Sequence, residues 1–196
     1  MKISIRNKPR SGVKAQNTVT EGYLNKIPGR EKLEKHLTDI WNVERISAPS
    51  KKGGRYFFHR NDGLQDQSVF YTTKDLKKNP RVLFDPNKLS GDGTVALKDI
   101  SISHNGKYMA YSLSASGSDW VEWKVRDIDT GKDLIDHLKW SKFSDATWSG
   151  DNKGFYYGRF PTPKKGEEMM ATNTDKKIYY HKLGTAQSED TLVYER

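Results

Sequence analysis

Three stretches decide the fold: "KKGGRYFFHRN" (51–61), "SHNGKYMAYSL" (103–113) and "GDNKGFYYGRF" (150–160). Each sets a turn built from glycine, asparagine or aspartate directly before a run of aromatic and apolar residues. Aligned on their first aromatic they give Tyr56, Tyr108 and Phe155, 52 and 47 residues apart. A second aromatic run follows each: "SVFYTT" (68–73), "WVEWKV" (120–125) and "KIYYHKL" (177–183). A shorter apolar segment comes third: "RVLF" (81–84), "LIDHL" (134–138) and "TLVY" (191–194). A unit of about 50 residues holding three or four short strands is the signature of a β-propeller blade. One such sheet cannot bury both its faces alone, so neighbours stack and the repeated aromatics fill the layers between them. In the middle unit Trp123 and Val125 alternate with Glu122 and Lys124, the period of a half-exposed strand. Asn105-Gly106 and Asp129-Thr130-Gly131 carry hairpin turn chemistry. Three units are too few to close a ring.

Ahead of the repeats the spacing is helical. Val19, Tyr23, Leu24 and Ile27 form one stripe; Leu33, Leu37, Ile40 and Trp41 form another at i, i+4, i+7 and i+8. Pro28-Gly29 separates the two. The predicted fold class is mainly β: a partial, about three-blade β-propeller over residues 43–196, preceded by an α-helical segment over residues 1–42.

Composition narrows the function. The 196 residues contain no cysteine, which excludes a disulfide framework, a thiolate metal site and a cysteine nucleophile. The basic start "MKISIRNKPRSG" lacks the apolar core of a secretory signal. No apolar run approaches the ~18 residues that span a bilayer, so no membrane association is expected. The net charge of +9 invites a nucleic-acid reading. However, the pairs Lys51-Lys52, Lys77-Lys78, Lys164-Lys165 and Lys176-Lys177 are dispersed over expected turns, and no nucleic-acid-binding motif accompanies them. No nucleic-acid partner is expected.

Ser118, in "LSASGSDWVEWKV" (113–125), is the one serine whose setting suggests a nucleophile. A nucleophile elbow needs G-x-S-x-G between a strand and a helix. Ser118 is followed by a β-type run and has no glycine two residues on, and the motif occurs nowhere else in the chain. Ser116, Ser118 and Asp119 read instead as turn residues whose short side chains bond nearby backbone. The five histidines, His36, His59, His104, His137 and His181, have no evident nucleophile beside them.

Several long strings carry a family resemblance: "VKAQN" (13–17), "YLNKIPGREKLEKHLTDIW" (23–41), "KKGGRYFFHRNDGLQDQSVFY" (51–71), "LFDPNKLSGDGTVAL" (83–97), "YSLSASGSDWVEWKV" (111–125) and "YYHKLGTAQSED" (179–190). From about Val13 to the end the chain resembles the N-terminal part of the prolyl oligopeptidase family; the first dozen residues do not match. The resemblance implies a cytoplasmic serine peptidase that cleaves short proline-containing peptides, built from an α/β-hydrolase and a seven-bladed propeller that covers the active site. It implies no cofactor and no metal. It places the helices with the hydrolase domain and the repeats in the propeller. The family's serine, aspartate and histidine belong to a C-terminal segment that these residues do not include, so no catalytic residue is expected here. A complementary hydrolase-domain fragment is the implied partner. "KFSDATW" (142–148) matches a family string whose phenylalanine lines the substrate pocket, which marks Phe143 as the substrate-binding candidate; a blade-core aromatic is the other reading of that residue. "PTPKKGEEMMATNTDKK" (161–177) corresponds to a mobile loop at the family's domain interface. The alternative function is an independent propeller-like protein-interaction module without peptidase activity.

The chain by itself is expected neither to cleave a proline-containing chromogenic peptide nor to be labelled by a serine-directed fluorophosphonate, because no serine–histidine–acid set is present. Stoichiometric labelling of any serine would contradict this.

Overall fold

A computed structural model describes residues 8–168 and 173–196. The basic start at residues 1–7, and Met169 and Met170 of the 161–177 stretch, lie outside the described residues. The chain divides into two compact units, Met1–Val43 and Glu44–Arg196.

The first unit holds α1 (Lys8–Leu24) and α2 (Arg30–Trp41). They are broken where Pro28-Gly29 predicts, with Gly29 at φ 81°. Lys35 and Asp39, one turn apart on α2, form an ion pair at 2.7 Å. The apolar stripe Leu33, Leu37, Ile40 and Trp41 is exposed.

The second unit is three antiparallel sheets. The first contains β1 (Arg45–Ile46), β2 (Ser50–Lys52), β3 (Arg55–Asn61), β4 (Val69–Thr73) and β5 (Arg81–Phe84). β1 and β2 share one edge of β3, so together they act as a single interrupted strand. The second sheet runs β6 (Val95–Ile102), β7 (Tyr108–Ala115), β8 (Val121–Asp127) and β9 (Asp133–Ser141). The third runs β10 (Thr147–Trp148), β11 (Gly154–Arg159), β12 (Lys177–Lys182) and β13 (Thr191–Tyr194). All nine apolar runs that define the repeats lie on strands, in the same order within each sheet. These are three propeller blades.

Two cores lie between the blades. Phe57, Phe70, Leu83 and Phe84 of the first pack with Met109 and Tyr111 of the second. On the other side Ala110, Val121, Trp123 and Val125 pack with Trp148, Phe155 and Tyr157 of the third. The period of two sends neighbours on β7 to opposite cores. Trp123, Val125, Met109 and Phe155 are all fully buried, each worth roughly 1.5–3 kcal/mol of transfer free energy.

The register corrects the repeat alignment by one residue. Phe155 pairs with Trp148 as Met109 pairs with Ile102. The closing turn bonds agree: Ser149 N–H donates to Gly154 O and Ser103 N–H to Tyr108 O, both at 2.9 Å. The counterpart of Phe155 is therefore Met109, and Tyr108 points to the opposite face, where its ring stacks on Trp148 at 6.2 Å. Aligning by aromatic type chose the wrong neighbour because a single-residue slip exchanges the two faces of a strand.

The Ser116-Gly117 connection between β7 and β8 confirms the turn reading of "SASGSD". Both residues have positive φ, 52° and 72°. The Ser118 hydroxyl accepts the Trp120 N–H at 3.0 Å. At the opposite end of the blades the first turns of the sheets touch in a row. Gly53 and Gly54 (φ 52° and 76°) make a two-residue turn against Gly106 (φ 68°), and Asn105 N–H donates to Asn152 Oδ1 at 3.0 Å. A Cβ on Gly53 would lie 2.2 Å from the Asn105 backbone, whereas one on Gly54 meets nothing. Both positions carry the left-handed penalty, but only Gly53→Ala forces two blades apart. Gly53→Ala should destabilise the chain by about 1–3 kcal/mol more than Gly54→Ala in urea unfolding. Equal losses would mean that the turns do not touch.

Candidate functional site

The segment joining β9 to β10 carries Phe143, and its shape is dictated by the core beneath it. Ser141, fully buried, accepts the Trp123 indole N–H at 3.2 Å and donates to Gly158 O at 2.7 Å. Ser144 Oγ accepts the Gly158 N–H at 2.6 Å. Two serines flanking Phe143 therefore grip one glycine of the next blade. Gly158 has no room for a side chain: a Cβ would lie 2.9 Å from Ser144 Oγ and 2.4 Å from Lys176 Cε. Lys176 Nζ donates to Phe143 O.

Trp140, near the end of β9, and Phe143, in the segment, both occupy the left-handed region, at φ 61° and 51°. Side chains of that size rarely adopt it, and such strain persists only where the surroundings over-determine it. Here Phe160 N–H fixes Trp140 O at 2.9 Å. Lys142 sets its ammonium 3.7 Å above the Trp120 ring and 5.5 Å from that of Phe160. Lys142 is only 6% exposed, so this cation–π contact is well shielded and worth about 2 kcal/mol. Trp120 meets Trp140 and Phe160 edge-on at 5.6 and 6.0 Å and donates its indole N–H to Glu168 O at 2.6 Å.

The outcome is a segment pinned by hydrogen bonds on either side of Phe143, with that aromatic ring turned outward. Phe143 is 65% exposed, which is not the environment of a blade-core aromatic. The cage of Trp120, Trp140, Lys142 and Phe160 was not anticipated from the sequence; "DWVEW" and "KWSKF" are each aromatic-rich, but nothing in the order of residues brings them together.

Below this segment lies a buried polar cluster. His181 on β12 presents Nδ1 to Asp190 Oδ1 at 2.6 Å and Nε2 to Asp136 Oδ1 at 2.8 Å, and all three side chains are fully buried. Burial by itself lowers the imidazole pKa, but the hydrogen bonds and charges of the two aspartates outweigh it and raise it to about 9. Asp190 also accepts the Tyr157 hydroxyl at 2.6 Å, and Asp136 accepts the Gly184 N–H at 2.7 Å. The Tyr157 hydroxyl pKa is raised, first by burial and then by that hydrogen bond. Since Asp136 is on β9 and His181 on β12, the cluster ties the second blade to the third.

Both ring nitrogens of His181 are taken by carboxylates, which leaves none to receive a proton from a serine. The other histidines are no better placed: His137 bonds Glu122 at 2.5 Å, His104 approaches Trp148 O at 3.3 Å, and His59 packs on Phe70 with its pKa lowered by burial. Among the described residues no histidine ring bonds a serine hydroxyl, and no group of His, Asp or Glu is arranged to hold a metal ion. No helix among them is long and apolar enough to cross a membrane.

Residues 5–196 match the family model described as prolyl oligopeptidase, N-terminal beta-propeller domain. The chain belongs to this family. The match reaches further back than Val13, where the visible resemblance begins. The prolyl endopeptidase of Elizabethkingia meningoseptica is 46% identical over 174 residues, which cover 89% of this chain and 24% of that protein. Prolyl oligopeptidase A of Galerina marginata is 37% identical over 92% of this chain and 28% of its own length. A solved prolyl endopeptidase superposes with a TM-score of 0.89 at 32% identity, covering 99% of this chain and 29% of the other. Prolyl oligopeptidase B from Galerina marginata, solved with a 35mer hydrolysis and macrocyclization substrate, gives 0.84 at 30% identity over 98% and 30%. The chain thus spans about a quarter of the length of the curated relatives it matches, and it is their propeller part that it matches, not a catalytic one.

The raised pKa of His181 makes the blade contact pH-dependent. A group whose folded pKa lies above its unfolded value stabilises fully below the unfolded pKa, near 6.5, and loses that contribution as pH rises through about 9. Stability should therefore fall by about 3 kcal/mol between pH 6.5 and 9.5. His181→Gln should be less stable at pH 6.5 and show a flatter profile across this window. An identical slope in the variant would remove His181 as the origin.

Proposed function

We propose that this chain is the N-terminal, non-catalytic part of a cytoplasmic serine peptidase that cleaves short peptides after proline, and that Phe143 contacts the peptide. On this reading residues 1–42 form a helical segment ahead of a partial propeller over residues 43–196, and the propeller limits which substrates reach the active site. The nucleophile, histidine and acid come from a hydrolase segment outside these 196 residues. The observation that carries the role of Phe143 is its setting: a large apolar ring, 65% exposed, on a backbone fixed in a strained conformation by Ser141, Ser144 and Gly158. Family membership and the absence of any free histidine–serine pair among the described residues support the division of labour.

The test combines the chain with a complementary hydrolase-domain fragment, or uses the complete peptidase. Cleavage of a proline-containing chromogenic peptide should require both parts. Phe143→Ala should raise KM about fivefold or more with a smaller change in kcat, because an interaction made equally in ground and transition states is lost. The thermal midpoint of the chain should move by no more than about 1 °C, since an exposed ring contributes little to packing. An unchanged KM would remove Phe143 from the substrate, and a fall of several degrees would return it to a packing role.

A further inference from the structure

Beside the Phe143 segment, within the same unit, lies a cavity of about 450 Å³ whose walls include Trp140, Arg159, Phe160, Asp175, Lys177 and Tyr179. That volume falls in the ~300–1,000 Å³ range of small-ligand sites. Two cations line it, and each already has a carboxylate at one side: Arg159 stands 3.7 Å from Asp190, and Lys177 donates to Glu195. The Arg159 guanidinium carbon lies 3.7 Å from the centre of the Tyr179 ring, and Nη1 donates to Gln187 O at 3.2 Å and Tyr157 Oη at 3.5 Å. The Nη2 edge is unspent among the described residues. Trp140, the strained residue at φ 61°, likewise makes no indole hydrogen bond to any described residue. Among the described residues Asp175 is the carboxylate on the wall itself. Apolar surface comes from Phe160, Tyr179 and Pro161.

We propose that this cavity binds a carboxylate carried on an apolar residue, either the C-terminus of a peptide or an acidic side chain. A guanidinium held against an aromatic ring presents a planar pair of donors that fits the two oxygens of a carboxylate. The aromatic walls fit the apolar group that bears it, which a bare phosphate lacks. The site is separate from Phe143 and does not depend on the peptidase reading.

Calorimetric titration of the chain with three N-acetylated tetrapeptides of alanine and phenylalanine tests it: one with a free C-terminus, its amide, and an amide containing one aspartate. Either carboxylate-bearing peptide should bind at least tenfold more tightly than the neutral amide, and which one does so identifies the source. Arg159→Lys keeps the charge but loses the planar fork, and should weaken that binding at least fivefold. Should circular dichroism show that this variant is misfolded, Trp140→Phe decides, with an expected loss of threefold or more. Equal binding of all three peptides, or unchanged affinity in the deciding variant, overturns the proposal.

Discussion

The central strands of the middle blade are apolar on both sides, and the rest of the second unit is arranged to cover them. β7 sends Met109 and Tyr111 to one side and Ala110 to the other, while β8 commits Val121, Trp123 and Val125 to the third blade. Neither face can be left in water without forfeiting burial comparable to the ~5–15 kcal/mol net stability of a domain. The first and third blades supply the missing surfaces. The turn contact of Gly53 with Gly106 follows from that stacking, since blades packed this closely bring their first turns together.

Covering a core with strands also buries polar groups, and the second and third blades resolve this in the same way. Tyr111 donates to Asp133 at 2.9 Å within the second blade, and Tyr157 donates to Asp190 at 2.6 Å within the third. An arginine attends each pair: Arg126 bonds Asp133 at 2.7 Å, and Arg159 stands 3.7 Å from Asp190. A buried tyrosine hydroxyl without a partner costs about 1–3 kcal/mol, so these pairs preserve register more than they add stability. The third blade adds His181, whose two aspartate partners hold the ring between blades.

The candidate site grows out of the same contact. Trp123 fills the core with its indole ring and uses its single N–H to fix Ser141, which in turn fixes Gly158 on the next blade. Phe143 and Trp140 are thus placed by a buried tryptophan rather than by their own segment. The exposed ring of Phe143 and the cavity walled by Trp140 and Arg159 both adjoin this one framework.

The order of residues was enough to show the three repeats, the helix break at Pro28-Gly29, the turn role of Ser118 and the lack of a nucleophile elbow. Those features are local: strand alternation, turn chemistry and a five-residue motif are all read within a few positions. Tertiary structure decided what depends on partners far along the chain. The repeat register moved from Tyr108 to Met109 because facing, not residue type, defines equivalence across blades. His181 became a clamp only when Asp136, 45 residues away, came within 2.8 Å of it. Lys142, unremarkable in "KWSKF", found its place over Trp120 because the packing of two blades brought a cation and an aromatic face together. Sequence spacing carries the hydrogen bonds of a turn; it cannot carry a contact whose geometry is set by the stacking of separate sheets.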